Sequence, residues 1–441
     1  MRAIPHLRRK LPKPRPGKGL PLLFALLSFS GACQLAEPPC DDSDPSCTLL
    51  GKWILRESLS CRYTGEWKLW GSTVPNGGSL TSTVIASMLY ASDDAIYAAG
   101  EATLAGNDAG MILKSVDEGK SWSVEFTYQP SPGNTVFFTD IVEAPDGTLI
   151  ATGIANPDGS NSEAFVATRP PGQSFSLAAS YERLDPNDSQ SLDSYVDSSG
   201  LHLAGNASDG TNAGTILDAT APYTTLQPRV FYNEPLYPDT IFSTIIGDSS
   251  GSLVAGIATD SSNYVIFLGR VDEVGTYSQI FREPIACCQG DPSLHDPNAI
   301  IPLFGDRYLI SVTPGTGPAD LRPQVWNVST SSYSVITLWD ATGAVVRLQQ
   351  HGNRIVATSL IATPSATTGT PQVSISDDFG LTFRNSFSPD TDGIVLNDSP
   401  DSALPKIGTY ALPDGSLLMP VPLDSALDAN EPSHIYRLGC L

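Results

Sequence analysis

Asp146-Gly147-Thr148-Leu149-Ile150-Ala151-Thr152-Gly153 is the stretch whose reading decides the fold. Asp-Gly supplies the positive φ that a tight hairpin turn requires. The Leu-x-Ala that follows alternates sides with period two, as a strand does. Small residues then close the unit. The same kernel returns along the chain. It reads Asp93-Asp94-Ala95-Ile96-Tyr97-Ala98-Ala99-Gly100, then Ser199-Gly200-Leu201-His202-Leu203-Ala204-Gly205, then Ser250-Gly251-Ser252-Leu253-Val254-Ala255-Gly256. Weaker copies begin at Asp306 and Gly352, and Asp414-Gly415-Ser416-Leu417-Leu418-Met419 is the last.

Seven kernels spaced by about 53 residues leave room for about four short strands in each unit. No stretch of the body sustains a helical period, and 36 Pro and 38 Gly are spread through it, which disfavours long helices. The expected fold is all-β: a propeller of seven four-stranded blades. The last repeat stops at His434-Ile435-Tyr436-Arg437-Leu438, its third strand. Glu66-Trp67-Lys68-Leu69-Trp70, ahead of the first kernel, is the strand that completes it, so the N-terminal strand closes the last blade and removes an open edge.

The front of the chain is of a different kind. Residues 1–32 carry seven Lys/Arg and no acid, and Leu20–Phe29 is an apolar core too short to span a bilayer. Ser30-Gly31-Ala32 and then Cys33 follow. This order resembles a bacterial lipoprotein signal, which implies cleavage before Cys33 and lipidation of that residue. The expected organisation is a signal peptide over 1–32, a Pro/Asp/Ser-rich tether over 33–50 without periodic apolar pattern, and the propeller over 51–441. The expected location is the bacterial cell envelope, lipid-anchored at the outer membrane or cell surface, or otherwise secreted or periplasmic. Contact with the membrane would run through the N-terminal lipid alone.

Lys+Arg number 25 and Asp+Glu 47, a formal net charge of −22, and the basic N-terminal segment makes the remainder more acidic still. Such a body repels phosphate backbones, so nucleic acid is excluded as an electrostatic partner. Beyond Cys33 six cysteines remain: Cys40, Cys47, Cys61, Cys287, Cys288 and Cys440. In an oxidising compartment they read as disulfides, with 15 connectivities open. Strand closure would bring Cys61 near Cys440, Cys40 and Cys47 are near in sequence, and Cys287-Cys288 forms either a vicinal bond or two thiols in the loop 285–297. With no Cys-x-x-Cys and five His, no metal site is expected, and no cofactor.

Two segments sit where a third strand should turn into a fourth: Ser115-Val116-Asp117-Glu118-Gly119-Lys120-Ser121-Trp122 and Ser376-Asp377-Asp378-Phe379-Gly380-Leu381-Thr382-Phe383. In each, the carboxylate (Asp117, Asp378) can accept turn amides, the glycine (Gly119, Gly380) takes a conformation costly to other residues, and the aromatic (Trp122, Phe383) plugs the blade. Ser115 and Ser376 open the two turns. Both segments resemble the Asp box of BNR-repeat, sialidase-like propellers. The resemblance implies a folding role, since in that family the boxes lie away from the central pocket. It also implies where a sialidase would keep its catalytic set: three Arg, a Tyr–Glu pair and an Asp. The family's Arg-Ile-Pro motif does not precede Asp117, and Phe281-Arg282-Glu283-Pro284 is a partial look-alike in mid-chain. No catalytic residue is therefore carried over.

Three functional classes remain. The leading expectation is a non-catalytic binding or scaffold lipoprotein, monomeric, for a protein or glycan ligand. The alternatives are a glycan-cleaving hydrolase of the exo-α-sialidase type and an assembly factor for an envelope complex. Side chains lining the central channel separate them: three Arg with a Tyr–Glu pair would favour the hydrolase.

Overall fold

Each kernel forms the hairpin between the first and second strands of a sheet. In blade 1 these strands are Leu80–Tyr90 and Ile96–Leu104, followed by Asn107–Ser115 and Ser123–Tyr128. The computed structural model describes Tyr63 to Cys440, except 74–79, 131–134, 157–161, 182–188, 209–211, 238, 249, 260–263, 286–296, 298, 313–323, 339–342, 352–353, 363–367, 388–393, 396–407 and 422–432. These residues belong to one unit, Arg62–Leu441, set apart from Met1–Cys61.

Seven antiparallel sheets follow one another along the chain. Six contain four consecutive strands; the blade-6 sheet adds a short fifth, Ile394–Val395, which pairs with Thr368 and Gly369. The last sheet is ordered differently. Tyr410–Ala411, Leu417–Val421 and His434–Cys440 come from the C-terminus, and Tyr63–Ser72 adds itself to His434–Cys440. Trp67 lies opposite Leu438 and Leu69 opposite Tyr436, the closure the sequence called for. First strands touch first strands from blade 1 through blade 6, Arg347 and Gln349 of blade 6 bond to Tyr410 and Thr409 of blade 7, and blade 7 returns to blade 1, so the sheets form a closed ring whose first strands line the axis.

Burial follows from that closure. Each seam between neighbouring blades holds its own apolar cluster. Ile96 and Ala98 face blade 7, while Tyr97 and Ala99 face blade 2. A second strand such as Leu149–Ala155 is therefore buried along its whole length. Its period-two pattern sorts residues between two dry seams instead of between core and water.

The small kernel residues lie on the second strand and not on the innermost one. The cause is a β-bulge in the first strand, seen between Ile85 and Ser87, Phe138 and Asp140, Ser191 and Asp193, and Phe242 and Thr244. The bulge drives a carbonyl onto the second strand. A Cβ at Gly100 would lie 1.9 Å from Val84 O, and one at Gly256 1.9 Å from Ile241 O. Glycine is required there by contact, not by torsion.

The two ends of the ring differ. Turns from first to second and from third to fourth strand share one end, and they are tight: 91–95, 144–148, 197–200 and 412–416 are examples. Connections at the other end run longer, as in 286–299, 313–323 and 422–433. Binding residues concentrate on variable loops held by a rigid scaffold, which marks the second end as the place to look for function.

Candidate functional site

Four inner-strand residues just past the bulges turn toward one another around the axis: Ser87, Asp140, Asp193 and Thr244. Asp140 is buried. Its Oδ1 accepts Ser87 Oγ of blade 1 at 2.7 Å and its own strand's Ile141 N at 2.9 Å. Its Oδ2 accepts Ser194 Oγ at 2.8 Å and Ser194 N at 3.2 Å from blade 3. Asp193 repeats the pattern one blade on, accepting Thr244 Oγ1 at 2.6 Å and Ile245 N at 3.0 Å. Each carboxylate thus stitches its inner strand to the next.

Arg347 closes the circle from the opposite side. It extends from the inner strand of blade 6, Gly343–His351, to Tyr410 Oη of blade 7 at 3.2 Å and Ala86 O of blade 1 at 3.1 Å. Tyr410 also donates to Ala86 O at 3.3 Å. Gly408 leaves space for the reach, since a Cβ there would lie 2.9 Å from Arg347 Cδ. Burial would weaken the Arg347 cation, but Tyr410, Asp140 and Asp193 outweigh it and hold its pKa above the ordinary value. Both Arg347 and Tyr410 are ringed by protein yet keep part of their surface open, as groups lining a channel do. Because they lie a few residues short of the turn-bearing end of their strands, they form a floor when viewed from the loop-bearing end.

Glu101 sits toward that loop-bearing end, on the second strand of blade 1. It is half-buried, and among the described residues no hydrogen bond to its carboxylate is formed. Burial, with a smaller push from Asp108, raises its pKa to about 7. A carboxyl group in that state can give up a proton at neutral pH.

A Tyr–Glu pair does exist, but elsewhere. Tyr232 donates to Glu234 Oε2 at 2.6 Å, and buried Glu234 ion-pairs with Arg282 at 2.8 Å. Tyr277 stacks on Tyr232 with 3.8 Å between ring centroids. Burial and then Glu234 raise the Tyr232 phenol, and burial, then Tyr232 and Glu234, raise that of Tyr277. These phenols are kept protonated, the reverse of an activated nucleophile. Among the described contacts, Arg282 is the one arginine that joins them. The cluster sits on outer strands and braces blades 3 and 4.

Both box turns lie at the tight-turn end, in blades 1 and 6. Asp117 Oδ1 accepts Ser121 N at 2.9 Å and Ser115 Oγ at 2.8 Å, and Gly119 N donates to Ser115 Oγ at 2.8 Å. Asp378 matches this through Thr382 N at 2.9 Å and Ser376 Oγ at 2.8 Å, with Gly380 N on Ser376 Oγ at 2.8 Å. Gly119 and Gly380 have φ of 88° and 77°. Trp122 is buried and Phe383 half-buried. The plug position is also filled where the box is absent, by Phe175 in blade 2 and Leu226 in blade 3, both buried. Cys440 lies across from Tyr63 on the closing strand. Cys33, Cys40, Cys47, Cys61, Cys287 and Cys288 fall outside the described residues. Among the described residues no group of three or more His, Cys, Asp or Glu is placed to hold a metal.

No family model and no curated protein matches the chain. Solved structures do. A protein of unknown function from Dyadobacter fermentans is 13% identical over 71% of this chain and 97% of its own, with a TM-score of 0.46. The GH93 α-L-arabinofuranosidase of Fusarium graminearum is 10% identical over 84% and 97%, with a TM-score of 0.44. The Trypanosoma rangeli sialidase is 12% identical over 68% and 57%, with a TM-score of 0.42. The architecture rests on the seven sheets themselves: the chain is a seven-bladed β-propeller.

Proposed function

We propose that this propeller binds a carbohydrate chain at its loop-bearing end, with Arg347, Tyr410, Asp140 and Asp193 as the floor of the site. The observation that carries the reading is the axial cluster, enclosed by protein but open in part to solvent. It sets donors of blades 6 and 7, Arg347 and Tyr410, across the axis from acceptors of blades 2 and 3, Asp140 and Asp193, which suits a molecule that carries a hydroxyl on nearly every carbon. A neutral sugar also avoids the repulsion that a strongly acidic chain exerts on anionic ligands. Calorimetry of the chain against a panel of neutral oligosaccharides tests this. Binding should appear for at least one, and Arg347→Lys should weaken it about tenfold or more, because a point ammonium cannot copy the guanidinium fork. Failure of the whole panel, or an unchanged affinity in Arg347→Lys, would overturn it.

A second reading, hydrolysis of the bound sugar, is favoured by Glu101. Glycosidic cleavage needs a carboxylic acid still protonated near neutral pH to serve the leaving oxygen. Glu101 meets that description at the same end of the ring. Release of reducing ends should be lost in Glu101→Gln while sugar binding persists, and in the intact chain it should fall as pH rises through about 7.

A further inference from the structure

At the opposite, turn-bearing end, blade 3 departs from its neighbours. In blades 1, 4 and 7 one register position on the third strand holds a permanent cation: Lys114 opposite Tyr97, Arg270 opposite Leu253, Arg437 opposite Leu418. Each pairs with the acid of its own kernel turn, Asp93, Asp248 or Asp414. In blade 7 that cation also donates to the turn serine, Arg437 Nε to Ser416 Oγ at 3.0 Å. A guanidinium there can hold a hydroxyl but cannot take its proton. Blade 3 has the polarity reversed. The third-strand position is Asp218, and opposite it on the second strand is His202.

The resulting chain of contacts is Ser199 Oγ to His202 Nε2 at 3.0 Å and His202 Nδ1 to Asp218 Oδ1 at 2.8 Å. Every part is held. The imidazole is buried and stacks on Tyr195 at 4.6 Å. Arg229 stands 3.4 Å from Asp218 Oδ2 and leaves Oδ1 to the ring. Ser199 is exposed at the tip of the turn. Two adjacent amides, Ser199 N and Gly200 N, converge on one oxygen, Asp197 Oδ1, at 2.7 and 3.3 Å. Asp197 Oδ1 also accepts Ser199 Oγ at 2.6 Å, and its side chain is 45% exposed.

We propose that Ser199, His202 and Asp218 form a serine-nucleophile site for small acyl esters, plugged at rest by Asp197. His202 is the base, Asp218 orients it, and the two amides mark the place of the acyl oxygen once Asp197 swings out. Ser199 Oγ bonds to the acyl carbon while the carbon–alkoxy bond breaks, and the Ser199 proton passes through His202 Nε2 to the departing alcohol. Water then attacks the acyl-serine, gives its proton to His202, and the acid leaves as Ser199 recovers it.

The site stands independently of sugar binding at the other end. Its test uses a fluorophosphonate probe on the full chain, with the adduct mapped by peptide mass spectrometry. The expected result is an adduct on Ser199, absent in Ser199→Ala, reduced at least tenfold in His202→Gln, and formed faster in Asp197→Ala. Thermal melts of each variant establish that it is folded at the labelling temperature, and mapping of the unaltered chain needs no variant at all. No adduct on Ser199 in either the unaltered chain or Asp197→Ala, or undiminished labelling in folded His202→Gln, would overturn the proposal.

Discussion

Replacing Asp117 by Ala should loosen the ring where its two chain ends meet. The carboxylate holds Ser121 N at 2.9 Å, Ser121 Oγ at 2.6 Å and Ser115 Oγ at 2.8 Å. The turn is partly exposed, so water replaces some of what is lost, and the direct cost is about 1–2 kcal/mol. The same turn also grips the closing strand. Trp70 Nε1 donates to Glu118 O at 2.8 Å, Arg437 pairs with Glu118 at 2.7 Å, and a Cβ at Gly71 would lie 2.5 Å from Gly119 O. Asp378 makes the matching bonds in blade 6, but its turn packs on Leu309 and Phe304 of blade 5, a seam between blades consecutive in sequence. Asp117→Ala should therefore lower the melting temperature more than Asp378→Ala does, by about 2–4 °C against about 1–2 °C in differential scanning calorimetry. The loss in Asp117→Ala has a pH signature. Burial raises the Asp117 carboxyl, but hydrogen bonds from Ser121 and Ser115 outweigh it and the folded-state pKa is lowered. Its stabilisation is complete above the unfolded carboxylate range and disappears as pH falls through the lower folded value. The gap between the intact chain and Asp117→Ala should close in acid. Equal melting temperatures at neutral pH, or a larger loss from Asp378→Ala, would refute the reasoning, as would lost sugar binding with an unchanged melt.

Trp122→Ala should cost more than Asp117→Ala, about 3–5 kcal/mol, because it empties a buried plug in the seam between blades 7 and 1; chemical denaturation measures it. Gly256→Ala should prevent normal folding, since its Cβ would meet Ile241 O at 1.9 Å, whereas Gly106→Ala, with nothing within 4 Å, should lose little beyond the strain of its positive φ; soluble yield and melting compare the two. Acylation at Cys33 is read by mass spectrometry of the mature N-terminus, where a diacylated cysteine is expected and any other unmodified first residue would dismiss the lipid anchor.

The ring was legible because its signals are local. Asp-Gly or Ser-Gly fixes the hairpin in four of the kernels, and seven kernels in phase count the blades. The closing strand was legible because the last repeat is one strand short and Trp67–Trp70 supplies the alternation it lacks. The axial floor was not legible. Its six members, Ser87, Asp140, Asp193, Thr244, Arg347 and Tyr410, are of five residue types drawn from six blades, and what aims four of them is a bulge that leaves no mark on its own strand. The mark lies one strand later. Gly100, Gly153, Gly205 and Gly256 pair with residues at the edge of the four bulges, so the glycine that closes the kernel reports a bulge on the strand before it.

That displacement of the signal explains how the same kernel serves two ends of one molecule. Its Asp and Gly set the tight turn, and the turn end stays short and acid–base paired. Its last glycine admits the bulge, and the bulge turns a polar side chain to the axis. Any blade that keeps the glycine can change the residue past its bulge without disturbing the seam, because the seam is packed by the alternating residues on either side. Blade 1 places Ser87 there, blade 2 Asp140, blade 3 Asp193 and blade 4 Thr244, while the neighbouring kernels remain alike. The axial chemistry is thus free to vary on a fixed scaffold, and a repeat count alone could not have disclosed it.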